Sequence, residues 1–372
     1  MDEGVRQLDV DEDIRRARTL PAWFYADRET FELARERVFA RSWQLVADTD
    51  RVRVPGQVWP FSLLEGFLDE PLVLTRDADD RVHCLSNVCT HRANRVVDSE
   101  GFEKSLRCRY HGRRFGLDGR FQAMPEFEQA VDFPSPADDL PRVPLERWGR
   151  LLFAALDPAV GFDALTKEMA ARLVWLPVEE AVFDAGRSRD YLVRAHWALY
   201  CENYLEGFHI PYIHPGLSQA LDYGAYRTEI FPYACLQVGV AASGEEAFDP
   251  SPGGGGGDGA DGGGERIAAY YWWLFPNTMV NVYPWGLSMN IVKPLAMDLT
   301  RVSYLTYVFD PGRLERGAGA GLDRVEREDQ SIVETVQRGI RSRLYDRGRY
   351  SPTREKGVHH FHRLIARFMR SF

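Results

Sequence analysis

The chain has 372 residues, 45% hydrophobic and 12% aromatic, with a formal net charge of -9. That composition excludes a disordered polymer, and an acidic balance without a Lys/Arg-rich block argues against nucleic acid or anionic lipid as the main partner. No run of about eighteen apolar residues occurs and the charged opening MDEGVRQLDVDEDIRR has no apolar core, so neither a transmembrane helix nor a secretory signal is expected. Cysteines Cys84, Cys89, Cys108, Cys201 and Cys235 are few and odd in number, which argues against a disulfide framework and for a reducing cytoplasm.

In chain order, a turn at LPAWFYADRET leads into a helix from about Arg28 to Phe39, with Phe31, Ala34, Val38 and Phe39 at helical spacing. From about Trp43 to Leu156 the pattern changes to short strands punctuated by Gly, Pro and Asp, such as PLVLTRD and RLLFAAL. Beyond it, a strand passes into a helix through RDYLVRAHWALYCENYLEGFHIPYIHPG. More strands follow (YYWWLF, TMVNVYPW, LSMNIVKPL, RVSYLTYVFD), then a long amphipathic helix from about Arg324 to Leu344. Residues Gly253 to Gly264, GGGGGDGADGGG, can bury almost nothing and are expected to form a flexible surface loop. The reading is an α+β chain in three parts: an N-terminal segment (1–42) packing back on the larger body, a small all-β unit (43–156) and that mixed body (157–372).

The β unit holds two Cys/His pairs, Cys89-x-His91 and Cys108-x2-His111, the second followed by Gly112. Four such ligands would also make a structural zinc site, although zinc knuckles usually place two cysteines in one pair. One Cys and one His per loop suits a binuclear iron centre, with two thiolates on one iron and two imidazoles on the other. The pattern resembles the Rieske [2Fe–2S] signature. His83 and Cys84, outside both pairs, read as packing residues.

A second constellation lies in ENYLEGFHIPYIHPG. Asn203, Glu206 and His209 recur every three residues, which a helix would place on neighbouring parts of one face. His214 is five residues beyond His209, about 140° round a straight helix, so Pro211 is expected to break the ladder and let both imidazoles converge, with Pro215 ending the segment. Two histidines leave room for a carboxylate, as in the facial triad of non-haem Fe(II) oxygenases. With Asp329 at zero on the later helix, Ile332, Val333, Val336 and Ile340 fall within about 60° of it, and Glu328 lies about 100° away, toward solvent. A carboxylate in an apolar stripe needs a partner, either a metal or a buried arginine.

Taken together, the Rieske pairs, Asn203-x2-Glu206-x2-His209-x4-His214 and Asp329 resemble the catalytic α subunit of Rieske non-haem iron oxygenases over nearly the whole chain, the opening LPAWFYADRETFELARERVFARSWQLV included. The resemblance implies a Rieske β domain plus a helix-grip domain, an antiparallel sheet around a long C-terminal helix. It implies a [2Fe–2S] cluster on Cys89, His91, Cys108 and His111, and mononuclear Fe(II) on His209, His214 and Asp329. It further implies O2 and a small organic substrate, a separate flavin or ferredoxin reductase, and a homotrimer in which Glu206 bridges His209 to a neighbour's His111. Glutamate at that place, where much of the family has Asp, is similar to the subset acting on quaternary ammonium compounds. Tyr212, Tyr233, Tyr271, Trp272, Trp273, Phe275, Tyr283 and Trp285 are candidates for a cation–π cage, or for core. Aromatic-ring dioxygenation and a pure electron carrier without catalytic iron are the alternatives. His196 is read as capping or packing, and His359, His360 and His362 as structural.

Overall fold

The computed structural model describes residues 8–248 and 265–370; the glycine-rich stretch Gly253 to Gly264 lies outside them. The chain forms two compact units, one of Ala40–Ala159 and one of Met1–Phe39 with Val160–Phe372.

The smaller unit is all β: β1 (Gln44–Asp48), β2 (Gln57–Leu63), β3 (Glu70–Arg76), β4 (Val82–Ser86), β5 (Gly101–Phe102), β6 (Leu106–Arg107), β7 (Arg114–Phe115), β8 (Phe121–Ala123), β9 (Arg142–Val143), β10 (Leu145–Trp148) and β11 (Leu151–Ala154). They pair as antiparallel sheets in the orders β5-β2-β3-β4-β9, β1-β11-β10 and β6-β7-β8. Strand β3 explains the layering. Side chains alternate across a strand, so Leu72 and Leu74 enter a core with Val52, Leu63, Cys84 and Leu152, while Val73 enters another with Val58, Leu85, Cys89, Cys108 and Phe115. Burial on both faces is why PLVLT reads as a continuous apolar run. Cys84 is core, and His83 Nε2 lies 2.6 Å from Asp77 Oδ2.

The larger unit begins with α1 (Arg28–Ala34), capped by Asp27, whose side chain accepts the Thr30 N–H at 2.8 Å. The expected helix to Phe39 does continue, but its last turn, Arg35–Phe39, widens to π geometry. After α2 (Asp163–Arg172) come β12 (Val182–Val193), α3 (Trp197–Tyr204), α4 (Ile210–Ile213) and α5 (Pro215–Ala220). Strands β13 (Arg227–Phe231), β14 (Ala234–Val240), β15 (Ile267–Leu274), β16 (Thr278–Tyr283), β17 (Gly286–Ala296) and β18 (Leu299–Val308) follow, then α6 (Leu322–Ile340) and α7 (Lys356–Arg370). The seven strands form one antiparallel sheet, β12-β18-β17-β16-β15-β14-β13. Helix α3 packs on β17 between α6 and α7. Its buried Trp197 meets Phe39 and Phe361 edge-on at 4.8 and 5.7 Å between ring centroids. His196 caps α3, its Nδ1 accepting from the Ala198 N–H at 3.3 Å; burial lowers its pKa to about 3, so the ring is a neutral acceptor.

Three expectations are corrected. Helix α6 stops at Ile340, and Leu344 is fully exposed. Its buried face is turned roughly 50° from Asp329, toward Val333, Gln337 and Ile340, leaving Val336 exposed; Gln337 is drawn in because its Oε1 accepts the His196 N–H at 2.7 Å. The third concerns the prolines. Helix α3 already ends at Tyr204, with the Leu205 N–H closing on Cys201 and Glu202, so Asn203, Glu206 and His209 do not share one helix. Pro211 and Pro215 lie in the first turns of α4 and α5, where a missing N–H leaves no bond unmade, and so they start helices instead of breaking one. No helix among the described residues is long and apolar enough to cross a membrane.

Candidate functional site

In the β unit the two Cys/His loops are built alike. The Cys89 N–H bonds to the Asn94 carbonyl and the Ala93 N–H returns to Cys89; the Cys108 N–H bonds to Arg113 and the Gly112 N–H returns to Cys108. The residue four after each cysteine takes the left-handed conformation, Gly112 at φ 78° and Ala93 at φ 54°. Both sulfurs are buried, within hydrogen-bonding reach of each other, and Asn94 Nδ2 approaches Cys108 Sγ at 3.6 Å. His91 and His111 are half-buried with ring centroids 4.8 Å apart, and Tyr110 lies over His111 at 3.7 Å. Paired thiols inside and paired imidazoles toward the surface match the asymmetric donor set of a Rieske cluster.

In the larger unit His209, His214 and Asp329 converge. One ligand atom from each lies within 4.8 Å of the others. His209 and His214 flank the four-residue helix α4, which brings their ring centroids to 5.1 Å. Asp329 Oδ1 is 3.0 Å from His214 Nε2 and 3.5 Å from His209 Nε2, and accepts from Asn203 Nδ2 at 2.6 Å. Each imidazole has its other nitrogen on a carboxylate: His209 Nδ1 meets Glu206 Oε1 at 2.6 Å, and His214 Nδ1 meets Glu328 Oε2 at 2.8 Å. These contacts fix the tautomers with Nε2 facing Asp329, the arrangement of metal-ligating histidines. Glu206 also folds its own turn, Oε2 accepting the backbone N–H of Phe208 and His209. Burial opposes a proton on His214, yet Asp329 and Glu328 raise its pKa; the field that holds a proton there would also hold a metal cation. Two nitrogens and one carboxylate in this setting fit ferrous iron.

The triad borders a cavity of ≈ 80 Å³ lined by Tyr200, Tyr204, Tyr226, Tyr271 and Tyr283, with Asn203, Gln237, Asn281, Asn290 and Glu326. No Lys or Arg is among its lining residues. Burial, then the charge of Asp329, push the Glu326 pKa up to about 8. Of the aromatic candidates from the sequence, Tyr271 and Tyr283 reach this cavity. Trp272, Trp273 and Phe275 are core, Tyr212 is exposed, Tyr233 packs near Phe368, and Trp285 stacks behind Tyr283. Sequence reasoning missed Glu328, set aside as solvent-facing, and Glu326, Gln237, Tyr204 and Tyr226. Glu326 and Glu328 flank Asp329 closely enough to have been found; Gln237, in an apolar strand, had only its polarity to mark it. The C-terminal histidines are buried in α7: His362 Nδ1 lies 2.6 Å from the Tyr350 hydroxyl and His359 Nε2 2.8 Å from the Asp11 carbonyl.

A binuclear-cluster unit joined to an antiparallel-sheet unit with a two-histidine, one-carboxylate site defines an oxygenase class, and comparison with known proteins agrees. The Rieske [2Fe-2S] domain family matches residues 42–141 and the ring hydroxylating alpha subunit (catalytic domain) family residues 180–371. Choline monooxygenase of Arabidopsis thaliana is 30% identical over 97% of this chain and 85% of its own length. The carnitine monooxygenase oxygenase subunit of Escherichia coli K12 is 29% identical over 95% of this chain and 94% of its own. Among solved structures, a quaternary ammonium Rieske monooxygenase superposes with TM-score 0.78 at 23% identity, covering 99% of this chain and 100% of that one. A naphthalene 1,2-dioxygenase gives 0.71 at 16%, covering 98% and 94%.

The chain therefore belongs to the ring-hydroxylating α-subunit family of Rieske non-haem iron oxygenases. It is a terminal oxygenase with a Rieske [2Fe–2S] cluster and a mononuclear iron, using O2, a small substrate and electrons from a separate reductase.

Proposed function

We propose that this oxygenase oxidises a small quaternary ammonium compound, inserting one oxygen atom into a C–H bond beside the nitrogen or elsewhere on the chain. Iron is held by His209, His214 and Asp329, and the cluster by Cys89, Cys108, His91 and His111. When bound, the iron supplies the site where O2 is activated. Asn203 orients Asp329, while Glu206 and Glu328 hold the two imidazoles in the metal-binding tautomer. Glu206 would accept a further hydrogen bond, from His111 of the partner subunit in a homotrimer, and so join the cluster of one chain to the iron of the next. Two relatives, a choline monooxygenase and a carnitine monooxygenase, support the substrate class. Cys84, Cys201 and Cys235, buried and outside the cluster loops with no disulfide among them, support work in a reducing compartment such as the cytoplasm.

The observation that carries the reading is the triad at the border of a tyrosine-lined cavity with no Lys or Arg on its lining. Tyrosine faces attract a cation, and no Lys or Arg on the lining opposes one. The amides and carboxylate that share the wall suit an aromatic hydrocarbon poorly. The test is O2 uptake and product analysis with a surrogate reductase, across quaternary amines and aromatic acids. Coupled oxidation of a quaternary amine is expected; ring dihydroxylation alone would overturn the reading. D329A should lose the mononuclear iron and turnover but keep the reduced-cluster EPR signal. E206Q should keep both metals and slow single-turnover product formation; an unaltered rate would reject the bridge.

A further inference from the structure

We propose that Glu326 and Gln237 select the substrate, and that the cavity is built for a small ammonium alcohol and against an ammonium carboxylate. This rests on the quaternary-ammonium reading above and asks which members of that class enter.

The first argument is a charge inventory. Three carboxylates line the cavity, and two are committed: Glu206 to His209 and two backbone N–H groups, Asp329 to Asn203 and the imidazoles. Glu326 has no such duty. Its Oε2 accepts from the Tyr200 hydroxyl at 2.8 Å and from Tyr304, and Oε1 has no hydrogen-bond partner among the described residues. No Lys, Arg or His forms an ion pair with it among those residues, and it lines both this cavity and the adjoining one beside Tyr304 and Asp323. Half-buried and without a counter-ion, Glu326 favours its protonated form while the cavity is empty; a cation in the cavity favours the carboxylate and is attracted by it. A substrate carboxylate would do the reverse, losing its water beside Glu326 with no Lys or Arg on the lining to receive it.

The second argument is an orphaned acceptor. Gln237 is 1% exposed and lines the same cavity. Its Nε2 donates to the Tyr204 carbonyl at 2.6 Å; a carbonyl can only accept, so the amide orientation is set and Oε1 is the free end. That oxygen is buried and has no partner. Buried amide oxygens are rarely left unsatisfied, and a hydroxyl on the bound molecule supplies the donor.

The test is calorimetry under argon with protein carrying both metal centres, using choline, its uncharged carbon isostere dimethylbutanol, ethyltrimethylammonium (choline without the hydroxyl) and γ-butyrobetaine. Wild type should bind choline at least about tenfold more tightly than dimethylbutanol or γ-butyrobetaine, and about fivefold more tightly than ethyltrimethylammonium. E326Q, with iron content and cluster absorbance intact, should lose about tenfold in choline affinity and leave dimethylbutanol within twofold. Q237L should abolish the preference for choline over ethyltrimethylammonium. If either variant fails to fold, the wild-type order decides alone. Tighter binding of γ-butyrobetaine than choline, or an unchanged choline-to-dimethylbutanol ratio in E326Q, overturns the inference while the substrate class stands. Failure of every trimethylammonium ligand to bind overturns both.

Discussion

Removing the Glu328 carboxylate is expected to weaken ferrous iron binding while leaving the fold intact. Glu328 Oε2 accepts a hydrogen bond from His214 Nδ1 at 2.8 Å, and the ring is otherwise buried. A hydrogen bond to a charged group at that distance is worth about 1.5–3 kcal/mol. The Glu328 side chain is 29% exposed, so water screens part of this and the lower half of the range applies. Partners of metal-bound histidines carry about 10–100-fold in affinity, roughly 1.4–2.7 kcal/mol, which agrees. In E328A the imidazole is free to flip or to carry its proton on Nε2, where the metal must bind. In E328Q the amide oxygen still accepts, and only the charge is lost. Competition against a ferrous chelator under argon should therefore give a dissociation constant about tenfold or more higher for E328A and only a few-fold higher for E328Q. An E328A constant within twofold of wild type would refute the argument. The exposed Arg324–Glu328 pair at 3.8 Å contributes little to either result.

The two left-handed positions give paired, opposite expectations. A93G should stabilise the cluster-bearing unit by relieving a positive-φ alanine, a gain of about 0.5 kcal/mol after glycine's entropy; G112A, whose added Cβ meets nothing closer than 3.7 Å, should destabilise it by about 1–2 kcal/mol, both read by denaturant titration. G357A would place a methyl group 2.3 Å from the Leu205 carbonyl oxygen, next to the Glu206 turn; a loss of at least about 2 kcal/mol with reduced iron content is expected, by thermal melting and metal analysis. Burial works to raise the Asp138 pKa, but the Ser135 N–H and the Arg113 guanidinium, 2.6 Å away, outweigh it and hold the carboxyl below 3.8. A depressed carboxylate pKa stabilises above the unfolded value and loses that contribution as pH falls through the folded one. The melting difference between wild type and D138N should thus be full at pH 7 and shrink below about 4.

What the sequence discloses depends on whether the chemistry is local. The cluster loops could be read because each pair sits within four residues, and the imidazoles of His209 and His214 because five residues separate them. Asp329 stood out because a charge in an apolar stripe demands a reason. The same helical count misjudged its surroundings: it weighed only apolar residues, so buried Gln337 and cavity-lining Glu326 did not pull the face toward themselves and exposed Val336 did. Glu328 looked solvent-facing because its partner, His214, comes from a segment far away in sequence. The prolines misled for a related reason, since a proline marks a helix boundary without saying which side the helix lies on. Helix α7 was seen only as a histidine cluster, although its burial binds it into the core.

The proposed ligand set also divides unevenly along the chain. Two donors ride the ends of one short helix and move as a single stiff chelate, whereas the third arrives from 115 residues beyond His214. A metal held there would act as a clasp across a long excursion of polypeptide, with the entropy of closing that span falling on Asp329 alone. Stripping the iron should leave the histidine pair in place and let the long helix carrying the acid breathe first.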